Sequence, residues 1–538
     1  MRPLAPASNL PQWLRLLLAS GLVFAASLRA SWSTLDRYFV GDDFGYVSRF
    51  HQLSFREWPA LFFQDWSGGM WGYQLPELRP FAALTFLIDA QFWGINPLGY
   101  HLTNLLLDAG CACLVGLIVW RLHSTALWLG CAAGILFAWH PAHAEPVAWI
   151  TGRVDLLSTL AYLAGFFAGG RYLQTLRWPW LPASWLAYGI GCFSKEFCLT
   201  LPVVLLLWAM IYRPLLAVAR FRQRAVLFAG FIVVAAAFLL CRRLAFGPGG
   251  GGVETLNLLS AGYAERQVDY LRWFLPPLYH FGRDFRPQLI VIAPGLVGGL
   301  CLVSLAVLAL WRWKGPTPPR WRAVTFYGVC WYAVATLPLA AASYFSPRHL
   351  YLGTAGLSIA VGLLVATIAA RRWLAWGIVA GAALFSVSRF DHAVTPWRHA
   401  AKLSERVSLE LVQLESKLRP GEILLLDAPD VFEGVWMWSW SVPFTLQPPF
   451  LPSSSLARVA LTRPATYYAA QLWARQPALA ALTEAPGALL VTADDKGVLT
   501  SRHLEPRQFH IHARELVQAA TADSDSAWKN FVSKLSAR

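Results

Sequence analysis

The sequence predicts a polytopic α-helical membrane protein with about eleven transmembrane helices, followed by a small α/β domain near its C-terminal end. Three observations carry this. Of the 538 residues, 56% are hydrophobic and 14% are charged, against about 25% charged in soluble globular chains. Apolar runs long enough to cross a bilayer recur from Leu16 to Leu384, and mean hydropathy is +0.45. The basic residues fall mostly in short loops between those runs, so topology explains the +15 net charge better than a nucleic-acid partner does.

The spans read in order are 14–31, 100–120, 125–139, 147–168, 181–194, 197–212, 225–244, 288–310, 324–343, 350–370 and 373–389. Around the first, Arg2 and Arg15, then an apolar stretch, then "SLRASW" make the pattern of a cleaved signal, but it is read as an uncleaved span; orientation is the same either way. One set of alternate loops holds Arg121, Arg171, Arg177, Arg213, Arg220, Arg222, Arg224, Arg312, Lys314, Arg320, Arg322, Arg371 and Arg372 and no acid, which assigns it to the cytoplasm. The segment 181–212 is read as two short helices meeting at Lys195-Glu196. A single helix there would invert every later basic loop.

Residues 1–390 form the transmembrane domain, with long outer loops at 32–99 and 245–287. "FREWPALFFQDW" and "RPFAALTFLIDAQFWG" in the first are amphipathic pieces suited to the interface. The second opens on the hinge "GPGGGG" and continues into "YAERQVDYLRWFLPPLYHF", a helix lying on the membrane. Residues 391–538 read as a small extracytoplasmic α/β domain: an amphipathic helix in "RHAAKLSERVSLELVQLESKL", a strand in "EILLLD", and two strands in "GALLVTADDKGVLT" joined at DKG. The final "TADSDSAWKNFVSKLSAR" is expected to be loosely ordered. The eight cysteines all precede residue 331, form no CxxC and read as small core residues.

With this topology, Asp42-Asp43, "HPAHAEP" (140–146), Lys195-Glu196 and "SPRH" (346–349) fall on one extracytoplasmic face. Two adjacent acids repel, which raises the pKa of one and leaves the other ionised, able to take a proton from a hydroxyl; a solvated pair or a helix cap is the plainer reading. Lys195, the first lysine in the chain, is either a snorkelling partner of Glu196 or a cation held at a phosphate oxygen. Arg348 and His349 open the tenth span, where an arginine offers bidentate phosphate recognition or an interface anchor. His140, His143 and Glu145 have metal-ligating side chains, but their spacing on a turn interrupted by Pro141 favours a hydrogen-bonded turn. Arg153 and Asp155 open a helix and are expected to pair with each other or with these histidines. Arg79 is a further polar group in an apolar setting. His101, Asn104 and Asp108 recur on one helical face turned to the bundle interior.

"RPFAALTFLIDAQFWGINPLGYHLTNLLL", "FAWHPAHAEPVAWITGRVDLLSTLAYL", "SKEFCLTLPVVLLL" and "SPRHLYLGTAGLSIA" together resemble the membrane part of the transmembrane and tetratricopeptide-repeat O-mannosyltransferases, members of the GT-C superfamily. The likeness runs in pieces over about residues 38–365. The resemblance implies an inverting transferase using a polyprenyl-phosphate sugar. It places the base at Asp42 or Asp43, the family's KE pair at Lys195-Glu196, and its ERYLYL-like stretch, which includes Tyr351, at "PRHLYL". Arg348 is kept there, His349 replaces an aromatic, and Pro347 departs from the family's acidic preference. The family's tetratricopeptide repeats are absent, so its protein acceptors do not carry over.

These readings converge on transfer of a sugar to an acceptor hydroxyl, with Asp42 and Asp43 as the catalytic acids, Asp42 the base, and with Lys195, Arg348, His349 and Arg79 at the donor phosphate, Lys195 and Arg348 stabilising its departure. No cofactor is required, and a divalent metal is compatible with the reading. The partners are membrane lipids, a polyprenyl-phosphate sugar donor and an acceptor that is protein, lipid or glycan. Scarce lysine among abundant Ala, Leu and Arg points to a bacterial inner membrane, with the active site in the periplasm. The alternatives are a lipid- or glycan-modifying GT-C activity and a flippase or transporter of lipid-linked sugars; against the last, the chain shows no inverted internal repeat.

Overall fold

In a computed structural model the protein is described over residues 11–71, 75–123, 127–212, 221–247, 328, 330–338, 346–368, 372–415, 417–427, 431–437, 444–445, 448–450, 459–461, 484–494 and 498–504, and over parts of 506–514. Residues 248–287 of the outer loop expected at 245–287, the span at 288–310, the DKG turn and the final segment lie outside the described residues.

The described helices are α1 (Gln12–Ser31), α2 (Asp43–Gln52), α3 (Pro80–Trp93), α4 (Pro97–Ile118), α5 (Leu127–Ala138), α6 (Ala144–Ala148), α7 (Arg153–Thr175), α8 (Trp180–Cys192), α9 (Leu201–Tyr212), α10 (Phe221–Phe246), α11 (Tyr351–Ile368) and α12 (Arg372–Glu415). Local chemistry sets several ends. Asn96 caps α4 by accepting from Leu98 N at 3.1 Å, with Pro97 at the first helical position. Gly94, at φ 56°, stops α3.

The protein is a polytopic helical membrane protein. Among the described residues, Gln12–Thr34, Pro97–Leu122 and Phe221–Phe246 are long and apolar enough to cross a bilayer. Only 17% of the most apolar window of α10 is buried, leaving that helix a lipid-facing surface. α5 has 12 residues and reaches about 18 Å, short of the ~30 Å hydrocarbon core. It lies tightly against α4: a Cβ on Gly130 would sit 2.5 Å from the Gly116 carbonyl oxygen. Small residues at such a crossing let two backbones meet.

The chain breaks between α8 and α9 at Phe193–Lys195, as the charge pattern requires. The first outer loop contains α2, α3 and a 3₁₀ turn at Trp58–Phe62, so "FREWPALFFQDW" forms no full helix.

Beyond residue 371 the structure differs from a span ending at 389. α12 runs unbroken through Pro396 to Glu415. Its apolar face changes partner rather than ending: Phe390 and Val394 pack with Ala30, Ala144 and Ala148, and Leu403, Val407, Leu411 and Leu414 continue the buried stripe at helical spacing. It leads to a sheet of strand order β4-β1-β5-β6, where β1 is Ile423–Asp427, β4 Val459–Leu461, β5 Ala488–Ala493 and β6 Leu499–His503. β1 runs parallel to β4 and β5, and β6 antiparallel to β5. A small hairpin pairs β2 (Val431–Phe432) with β3 (Val435–Trp436). One buried core joins Phe39, Phe44, Val47, Phe50 and Phe86 of the first outer loop to Ala400, Leu403, Leu424 and Leu489 of the C-terminal part.

Candidate active site

The two neighbouring acids are held differently. Gly41, at φ +60°, turns the chain, so Asp42 takes the position before α2 and Asp43 begins it. Asp43 is 1% exposed. Its Oδ2 accepts from Val40 N (3.1 Å), and its Oδ1 from Thr151 N (2.9 Å) and Thr151 Oγ1 (2.8 Å). Asp42 is half-buried. Burial pushes the Asp43 carboxyl up to about 7; the Val40 and Thr151 hydrogen bonds oppose this, and the Asp42 charge adds to it. The raised pKa expected of the pair is therefore mainly a burial effect.

The pH consequence has a definite sign. An acid whose folded pKa of about 7 exceeds its ordinary 3.8 gives stability that is full below the ordinary value and lost as pH rises through the folded one. The contribution of Asp43 to stability should therefore shrink between about pH 4 and pH 7. The difference in Tm between wild type and Asp43→Asn should change across that window, and a pH-independent difference would contradict the assignment.

A second group of charges gathers where three turns meet. Asp155, near the start of α7, accepts from Lys195 Nζ through Oδ1 at 2.5 Å, and its Oδ2 lies 3.9 Å from Arg348 Nε. Arg348 also donates from Nη1 to Glu145 Oε1 at 2.6 Å, and Ser346 Oγ donates to Glu145 Oε2 at 2.6 Å. The Arg348 guanidinium lies 4.8 Å from the centre of the Trp149 ring. Lys195 and Arg348 side chains remain 17% and 15% exposed. Burial lowers the Lys195 pKa; the Asp155 charge opposes this, and the Arg348 and Arg79 charges add to it. Arg79 pairs with Glu77 at 2.8 Å, and Glu196 pairs with Arg242 at 3.2 Å.

The two groups are linked through Thr151 and Asp155, which lie four residues apart. Tyr46, one turn beyond Asp42, has its phenol held well above its ordinary pKa, first by burial, then by Glu77 and Asp42, with Arg79 opposing. Thr151, which holds Asp43, lies one helical turn before Asp155. His349 shares the 3₁₀ turn Pro347–Leu350 with Arg348 and is partly exposed.

Other candidates from the sequence hold the frame. Arg153 and Asp155 do not pair, because residues two apart on a helix face different ways. Arg153 is fully buried and bonds Asp89 (2.6 Å), Asn104 Oδ1 (2.9 Å) and the Tyr100 carbonyl (2.9 Å). Asn104 Nδ2 donates in turn to the carbonyls of Trp149 (3.0 Å) and Ile150 (3.2 Å), fixing the turn that carries Thr151. Arg153→Ala should destabilise the protein by about 3–5 kcal/mol, since it strands the Asp89 carboxylate in the interior; an unchanged Tm in detergent would refute this.

The HxxHxE residues diverge. His140 Nδ1 accepts from Ala142 N, His143 Nε2 meets Thr354 Oγ1 at 2.7 Å, and Glu145 turns to Arg348. Among the described residues no three His, Cys, Asp or Glu side chains are placed to share a metal. Asp108 accepts from Ser27 Oγ (2.7 Å) and the Tyr351 hydroxyl (2.6 Å), tying α1, α4 and α11 together just beyond Arg348. His101 is buried on the same face of α4.

Thr151 and Arg242 were not singled out from sequence. Arg242 carried a readable signal: it ends an apolar span on the face expected to avoid arginine. Nothing local marked Thr151.

No protein-family model matches the chain. It resembles protein O-mannosyl-transferase Tmtc1 of Drosophila melanogaster, at 36% identity over 143 residues, covering 27% of this chain and 16% of that protein. It also resembles human protein O-mannosyl-transferase TMTC2, at 34% over 152 residues, covering 26% of this chain and 17% of that protein. The chain thus matches less than a fifth of the length of either relative. Among solved structures, that of ArnT from Cupriavidus metallidurans bound to undecaprenyl phosphate aligns over 88% of this chain and 93% of its own, at 14% identity and a TM-score of 0.38, too low to establish a shared fold.

Proposed function

We propose that the protein is an inverting glycosyltransferase that moves a sugar from a polyprenyl-phosphate donor to an acceptor hydroxyl. The observation that carries this is Lys195 and Arg348 flanking the two oxygens of Asp155. Two cations held by one carboxylate, each keeping some exposure, form a compact site for a phosphate. Resemblance to proteins named O-mannosyl-transferases makes the phosphate that of a sugar donor.

In the proposed step Asp42 accepts the acceptor's hydroxyl proton. The acceptor oxygen forms a bond to the anomeric carbon as the bond from that carbon to the phosphate oxygen breaks. The electron pair leaves with polyprenyl phosphate, whose added negative charge Lys195 and Arg348 stabilise. Asp43 is a positioning residue, because its oxygens already accept from Val40 and Thr151. The positive-inside pattern sets the site on the extracytoplasmic side, the periplasm in a bacterial inner membrane.

The test is release or transfer of tritiated sugar by the purified full chain in detergent. The donors are undecaprenyl phosphates bearing mannose, glucose or another hexose, with isolated membranes as acceptor. Turnover of one donor, lost in Asp42→Asn, is the expected result. A wild-type chain that turns over none would contradict the proposal, and movement of intact donor across vesicle membranes without turnover would assign a flippase.

A further inference from the structure

We infer that the C-terminal part of the chain is a working component of this site: it clamps the turn that carries Asp42, with Phe450 as a positioning residue for the base. This rests on the proposed role of Asp42.

The turn is held from two sides. On one side Asp43 is bonded to Thr151. On the other, Phe39, Gly41, Phe44 and Ser48, on either side of Asp42, meet residues of 404–450. Gly41 N donates to the Met437 carbonyl at 3.1 Å. Gly41 has φ +60°, which favours glycine, and a Cβ added there would lie a tight 3.0 Å from the Trp436 carbonyl oxygen. Ser404 Oγ donates to the Phe39 carbonyl at 2.6 Å, and Ser48 Oγ to the Pro448 carbonyl at 2.7 Å. The Phe450 ring meets Phe39 (5.6 Å, 77°) and Phe44 (5.3 Å, 60°) edge-on, touching the chain before and after Asp42. Phe39 and Phe44 are fully buried.

A general base must be held within about half an ångström and 10–20° of its working geometry, and misplacement of about 1 Å costs on the order of a hundredfold in rate. The contacts of residues 404–450 fall on the base-bearing turn, whereas Lys195 is held by Asp155 and Arg348 by Glu145. Loosening the clamp therefore affects the chemical step and leaves donor binding alone.

The experiment measures kcat and KM for the donor turned over by the full-length wild type, alongside Asp42→Asn, Phe450→Ala, Phe450→Tyr and Gly41→Ala. Phe450→Ala and Gly41→Ala should each lower kcat by about tenfold to a hundredfold with donor KM within about twofold of wild type. Phe450→Tyr, which keeps the ring, should restore the rate. Gly41→Ala removes no core side chain, so it reads the turn even if Phe450→Ala loses folded protein. If Asp42→Asn is inactive while both clamp variants match the wild type, or if they raise KM as strongly as they lower kcat, the clamp is overturned and the base assignment stands. If Asp42→Asn keeps full turnover, the base assignment itself has failed and the clamp with it.

Discussion

Asp42→Asn should lower kcat for sugar transfer by about 10²–10⁴, the usual contribution of a positioned base, with donor KM nearly unchanged. Asparagine keeps the size and a hydrogen-bonding oxygen but does not take up the proton at neutral pH. The two acids should part company in this assay. Asp43→Asn places an amide where three donors converge on a carboxylate, and its loss should appear as a lower Tm together with a partial rate loss. Initial rates and Tm on the same preparations separate the two. Equal rate losses without a Tm difference would place both carboxylates in the chemistry and contradict the division of roles drawn here.

Removing either cation is the second large effect. Lys195→Ala and Arg348→Ala should each reduce kcat/KM by about 10²–10³, the scale of losing one preorganised group facing developing charge. Because on the proposed reading both face the same leaving phosphate, and both lie at Asp155, the double variant should fall short of the product of the single effects. Arg348→Ala also leaves Glu145 without its 2.6 Å partner, so its Tm should fall. Arg348→Lys keeps the charge but loses the planar fork that reaches both Glu145 and Asp155; it should recover stability more fully than rate. Kinetics of the two single variants and the double variant on one donor preparation decide this, and strictly multiplicative losses would mean two independent sites.

Much of this was legible in the sequence because membrane chains write their topology in charge. The acid-free basic loops, and the helix break at Lys195 that they demand, need only the bilayer and the positive-inside rule. The choice among polar residues was less legible. Arg153 and Asp155 look like a pair in one dimension, yet helix geometry sends one to Asp89 and the other to Lys195 and Arg348. Asp42 and Asp43 are chemically identical and differ only in the direction a turn gives them, a direction fixed by Thr151, 108 residues away. The continuation of α12 past residue 389 was hidden because a hydropathy reading tracks lipid contact, while Phe390 and Val394 are buried against protein. The shared core of the first outer loop and the C-terminal part rests on contacts as far apart as Ser48 and Pro448, 400 residues distant in sequence, which no local pattern records.

Lys195 and Arg348 are the proposed donor-phosphate site. An experimental structure of the full chain with undecaprenyl phosphate tests it most directly. The phosphate oxygens should lie about 3 Å from both Lys195 Nζ and the Arg348 guanidinium, on the side of Asp155 nearer Asp42. Phosphate density elsewhere on the protein, with the Lys195–Asp155 and Arg348–Glu145 pairs unchanged and no path to Asp42, would contradict the account.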